Sequence, residues 1–64
     1  MQVTVNGAER TAPASLVELL GELGLQVGSV VVELNGTALL RSEVLTTTLA
    51  DGDVLELVRA VAGG

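Results

Sequence analysis

Two Asn-Gly pairs, Asn6-Gly7 and Asn35-Gly36, each sit between short runs of strand-forming residues, so each half of this chain reads as carrying a β-hairpin. Asn-Gly best supplies two successive positive φ angles, which a type I′ turn needs to match the twist of the strands it joins. Before the first pair, Met1-Gln2-Val3-Thr4-Val5 alternates with period two, and Met1, Val3 and Val5 are expected to face the core. The return strand runs from Ala8 to Ala12 and ends at Pro13, which cannot donate to a ladder. Before the second pair, Val30, Val32 and Leu34 share one face and Val31 and Glu33 the other, with Thr37 to Leu40 returning.

Between the hairpins lies a helix signal. The Ser15 hydroxyl can accept from the Glu18 backbone N–H while the Glu18 carboxylate reaches back to the N–H of Ser15, a capping box. Leu16, Leu19, Leu20 and Leu23 then recur at i, i+3, i+4 and i+7, so the helix carries one leucine stripe that needs a flat apolar surface. Gly24 suits the left-handed position beyond the helix end, with Leu25 as its apolar companion.

From Ser42 to Ala50 no period is visible, and the segment is expected to be irregular with Leu45 and Leu49 tucked under the domain. Asp51-Gly52-Asp53 reads as a turn. A last strand from Val54 to Val61 sets Leu55 and Leu57 against Glu56 and Val58 on the other face. The order β-β-α-β-β is an α+β design, a small mixed sheet with one helix packed on one face, and residues 1–64 form a single domain. Periodicity does not say which strands are neighbours.

Composition restricts the chemistry. Hydrophobic residues make up 48 % and charged residues 17 % of the chain, which suits a folded domain rather than a disordered tail. It has no Cys, His, Trp, Tyr or Phe, and its three cations are Arg10, Arg41 and Arg59, so thiol, imidazole and Schiff-base chemistry are excluded. No metal site and no bound cofactor are expected. A net charge of −5 and the lack of any base-stacking aromatic argue against nucleic acid as a partner. No apolar stretch approaches the length of a membrane span and no secretory leader is visible, so a cytoplasmic location away from membranes is expected.

The reactive group left is the α-carboxylate of Gly64. As an anion it is inert as an acyl donor until activated, for instance by adenylation with ATP. Two residues without Cβ, Gly63 and Gly64, suit a narrow channel in a partner enzyme. Residues 60–64 would form a flexible arm reaching roughly 16 Å beyond Arg59. The plainer explanation, a frayed terminus, stays open at this point.

Several blocks then point to a family. Val3-Thr4-Val5-Asn6-Gly7, Val17-Glu18-Leu19-Leu20, Leu23-Gly24-Leu25, Val32-Glu33-Leu34-Asn35-Gly36, Asp51-Gly52-Asp53 and Ala60-Val61-Ala62-Gly63-Gly64 resemble, in order and spacing, the ThiS-type sulfur carriers of the thiamine pathway. The chain departs from that pattern at Leu40, where the family often has Pro, and near Leu45, where it often has an aromatic. The resemblance implies a ubiquitin-like β-grasp fold with the first and last strands parallel at the centre of the sheet. It implies a carrier rather than an enzyme. A ThiF-like adenylyltransferase, using ATP with Mg, would form the Gly64 acyl-adenylate. Sulfur from a cysteine desulfurase-linked donor would convert it to a thiocarboxylate, and thiazole synthase would receive the sulfur. Gly64 would react, Gly63 would give access, and Val61 and Ala62 would line the partner's channel.

If Leu55 and Leu57 face the core, Val58 and Ala60 lie on the outer face, where Val31 joins them in an apolar patch suited to docking the activating enzyme. The rival functions are a sulfur carrier for tRNA thiolation or molybdopterin synthesis, and a ubiquitin-like binding module whose tail is never activated. An enzyme using Asp51, Asp53 or Glu56 is a further class, set against the ordinary solvation of turn and strand carboxylates. Without Lys, the chain has no ε-amine through which copies of it could be linked together.

Overall fold

The computed structural model describes residues 1–60. Five strands form one sheet: β1 (Gln2–Val5), β2 (Ala8–Thr11), β3 (Val30–Leu34), β4 (Thr37–Ala38) and β5 (Val54–Arg59). Their order is β2-β1-β5-β3-β4, which places the last strand in the middle. β1 and β5 run parallel, with Thr4 opposite Val54 and Val5 opposite Leu55. The other pairings are antiparallel. This is the β-grasp arrangement that the resemblance implies.

Both Asn-Gly pairs adopt the backbone their turn type demands. Asn6 and Gly7 have φ of 49° and 84°, and Asn35 and Gly36 have 51° and 85°. Helix α1 (Leu16–Glu22) opens on Ser15, whose Oγ accepts from the Glu18 N–H at 3.3 Å. The reciprocal bond from the Ser15 N–H to the Glu18 carboxylate is not formed; around Ser15 the chain is instead bridged to Thr48, the Leu16 N–H donating to Thr47 O and the Leu49 N–H to Ala14 O. The helix closes as the sequence predicts. Gly24 takes φ 73°, its N–H donates to Gly21 O, and the Leu25 N–H donates to Leu20 O at 2.8 Å.

Leu16, Leu19 and Leu20 are fully buried, and Leu23 packs at the edge of the same cluster. They meet the inner face of the sheet through Val3, Val32, Leu55 and Leu57. Full burial of one such leucine is worth about 1.5–3 kcal/mol, so the stripe is the main attachment of helix to sheet.

Further expectations need correction. The last strand ends at Arg59 and not at Val61. The segment expected to be irregular contains a second helix, α2 (Arg41–Thr46), so two helices rather than one accompany the sheet. α2 buries Val44 and leaves Leu45 59 % exposed, while Leu49 is buried as expected. Leu40, Thr46 and Thr47 are poor signals for such a short helix; what starts it is the Glu43 carboxylate, which accepts the Leu40 N–H at 2.7 Å. Met1 is 41 % exposed rather than core, because it precedes the ladder and its carbonyl accepts from Ala12 N–H at the sheet edge. The second return strand is also shorter than expected: β4 ends at Ala38, and pairing continues for one further bond, from Leu39 N–H to Val32 O. A short 3₁₀ turn, Val27–Ser29, leads into β3.

Candidate functional site

Strand β5 is hydrogen-bonded on both sides and leads directly toward the C-terminus. Leu55 and Leu57 are its inward residues, so Glu56 and Val58 point to the open face of the sheet, as the alternation predicts. The register sets Val58 directly opposite Val31 and Glu56 directly opposite Glu33. Val58 is 61 % and Val31 50 % exposed. The open face thus carries an apolar cross-strand pair beside a pair of like-charged carboxylates. Ala60 follows just beyond the strand, exposed, its N–H donating to Ser29 O at 2.8 Å. Val31, Val58 and Ala60 are therefore adjacent. Gly64, Gly63, Ala62 and Val61 lie outside the described residues.

Two asparagines hold β5, one at its first residue, Val54, and one at Leu57 in its second half. Asn35 gives its backbone N–H to Val54 O at 2.7 Å and accepts the Val54 N–H on Oδ1 at 2.9 Å. Asn6 gives its backbone N–H to Leu55 O at 2.9 Å. Its side chain then pairs with Leu57, Oδ1 accepting the N–H at 2.7 Å and Nδ2 donating to the carbonyl at 3.2 Å. Turn statistics account for the positive φ of both residues and say nothing of these side-chain bonds. The one sequence signal for them is that both turns carry Asn where Asp or Gly would also serve.

Asp51 and Asp53, the acidic residues of the alternative enzyme reading, are occupied in the turn before β5. Asp51 Oδ1 accepts from Gln2 N–H at 2.7 Å. Asp53 accepts from Ala50 N–H through Oδ2 and from Asn35 Nδ2 through Oδ1. Among the described residues no three His, Cys, Asp or Glu side chains converge as a metal site would require. No helix among them is long and apolar enough to cross a membrane. The ion pair Arg10–Glu22, at 3.4 Å, joins β2 to α1 away from the end of β5.

The topology, with the first and last strands parallel at the centre of a mixed sheet and a helix packed across it, defines a ubiquitin-like β-grasp domain. The structure aligns over its whole length with the crystal structure of the thiamine biosynthesis protein ThiS from Geobacter metallireducens, at a TM-score of 0.81 and 39 % identity, covering 100 % of that chain. A solution structure of a thiamine biosynthesis protein from the same organism aligns at 0.77, covering 100 % of this chain and 88 % of that one. The sequence profile of the ThiS family matches residues 3–64, and the chain belongs to that family. The sulfur carrier protein ThiS of Thermus thermophilus is 41 % identical, with 97 % of this chain and 98 % of that protein covered. A thiazole synthase of Paramagnetospirillum magneticum is 39 % identical over all of this chain, which spans 20 % of that longer protein.

Proposed function

We propose that this chain carries sulfur for thiamine biosynthesis and that the carboxyl carbon of Gly64 is the atom that bears it. The observation that carries the reading is the similarity to a protein named as a sulfur carrier, over 97 % of this chain and 98 % of that one, together with a family match that runs to residue 64. The side-chain inventory agrees, since Cys, His and Lys are missing and the chain's own terminus is left as the reacting group.

The Gly64 carboxylate oxygen attacks the α-phosphorus of ATP bound with Mg in a ThiF-like adenylyltransferase, and pyrophosphate leaves. The terminal sulfur of a persulfide on a cysteine desulfurase-linked donor then attacks the Gly64 carbonyl carbon and expels AMP. A thiol reductant cleaves the resulting acyl disulfide, leaving a disulfide and the thiocarboxylate. Thiazole synthase takes the sulfur from it. Similarity to one part of a thiazole synthase chain supports that acceptor, because carrier-like and synthase sequence there occur together. Gly63 lets the enzyme approach closely, and Val61 and Ala62 line its channel. The folded body acts as a handle: Val31, Val58 and Ala60 dock on the activating enzyme, with Glu33 and Glu56 turned toward a basic rim. The exchange takes place in the cytoplasm.

Intact mass spectrometry tests this. Incubation with ATP, Mg, the adenylyltransferase, cysteine, a desulfurase and a thiol reductant should add the mass difference of one oxygen replaced by sulfur. A chain lacking Gly63 and Gly64 should gain nothing and should not support growth without thiamine. Growth on the truncated chain would refute the proposal.

A further inference from the structure

We infer that the Asn6 carboxamide is a positioning residue for this chemistry, fixing the direction in which β5 delivers residues 60–64 to the activating enzyme. The inference rests on the reading of Gly64 as the reacting residue.

β1 has to turn away at Asn6-Gly7, whereas its parallel neighbour β5 continues to Arg59. Past Leu55 the β1 side of β5 therefore has no strand to bond to. The Asn6 side chain fills the gap at Leu57 by presenting an amide in the place of the next peptide group, one acceptor and one donor to one residue. On its other side β5 is held further along, by the pairing of Val30 with Arg59 and by the bond from Ala60 N–H to Ser29 O. Removing the carboxamide leaves the last stretch of β5 held along one edge alone.

The turn itself does not require this group, because Gly satisfies the positive φ of Asn6 equally well. From Leu57 to Ala60 an extended stretch spans about 10 Å, so a swing of about 10° at Leu57 already moves Ala60 by about 2 Å. Misplacement of a reacting group by about 1 Å can already cost about a hundredfold in rate.

Asn35 supplies the control. It makes a comparable clamp at the start of the same strand, on Val54. In the full-length chain, Asn6→Gly and Asn35→Gly each keep the turn and delete one clamp. At matched folded fraction, Asn6→Gly should lower the rate of acyl-adenylate formation at saturating carrier about tenfold relative to Asn35→Gly. The loss should fall on the rate at saturation more than on the KM for the carrier, because Val31 and Val58 of the docking face are untouched. Amide exchange at Leu57 should accelerate in Asn6→Gly and not in Asn35→Gly. Equal rates for the two variants, or Leu57 exchange in Asn6→Gly at the level of the unmodified chain, would overturn the assignment. If the unmodified chain forms no adenylate at all, the Gly64 reading fails, and the exchange comparison still decides whether Asn6 holds the end of β5.

Discussion

Asn35 and Val54 are joined by a reciprocal pair of hydrogen bonds, backbone N–H to carbonyl in one direction and N–H to side-chain Oδ1 in the other. The residue that makes the second hairpin turn thereby also starts the central strand, linking local turn chemistry to the register of the sheet. Asn35→Ala removes the side-chain bonds and places an alanine at φ 51°, and should cost about 2 kcal/mol. Asn35→Gly keeps the angle and should cost about half of that. Urea denaturation with an unchanged m-value measures both. Losses below about 0.5 kcal/mol for both variants would show that the clamp contributes nothing.

Leu55 lies between Val5 and Leu34 in the register of the sheet and is fully buried. Truncation to Ala there leaves a cavity and should cost about 2–5 kcal/mol, enough to unfold much of the population in so small a domain. Leu45→Ala, on the exposed side of α2, should change stability by less than about 0.5 kcal/mol. Thermal unfolding of the pair checks this. A large loss at Leu45 would mean that α2 packs with its other face inward.

Glu33 and Glu56 oppose each other across β3 and β5, an arrangement that destabilises a sheet when both are charged. Glu56→Lys turns repulsion into attraction and should stabilise the domain by about 0.5–1 kcal/mol at low ionic strength. Raising the salt to about 1 M should remove most of the gain, because both groups are exposed to solvent. Urea midpoints at the two ionic strengths provide the measurement, and an unchanged or lowered midpoint at low salt would contradict the opposition seen here.

Elements whose residues carry strong local preferences are legible in the amino-acid sequence. The two I′ turns, the Ser15 start, the Gly24 end and the inward set Val3, Val32, Leu55 and Leu57 all follow from single-residue backbone preferences or from period. The open face is legible for the same reason, since alternation along β5 places Val58 outward once Leu55 is placed inward. Features that depend on unusual caps or on contacts distant in sequence are not legible. α2 begins on a Glu43 carboxylate bond to Leu40, a capping arrangement with no usual N-cap residue. The opposition of Glu33 to Glu56 requires knowing that β3 neighbours β5. The clamp of Asn6 on Leu57 joins residues 51 positions apart, and the turn alone is enough to account for the Asn.

Val58 and Val31 face each other with no helix over them, and the carboxylates of Glu33 and Glu56 stand one pair further along the same face. A partner that covers the valines brings its rim against those carboxylates, so apolar contact and charge should act together in binding. Val58→Asp and Val58→Arg both remove apolar area, and each should weaken binding to a ThiF-like adenylyltransferase by about 1–2 kcal/mol, roughly five- to thirtyfold in Kd. Their difference carries the electrostatic information. If the partner's rim is basic, Val58→Arg should bind more weakly than Val58→Asp at low salt, and the two should converge as salt is raised. For stability the order should reverse, because an arginine at position 58 sits beside Glu33 and Glu56 and an aspartate adds a third negative charge. Titration calorimetry at two ionic strengths, with thermal unfolding of each variant, separates these effects. Unchanged Kd for both variants would remove the Val31–Val58 face from the docking surface, and equal Kd at low salt would remove the basic rim.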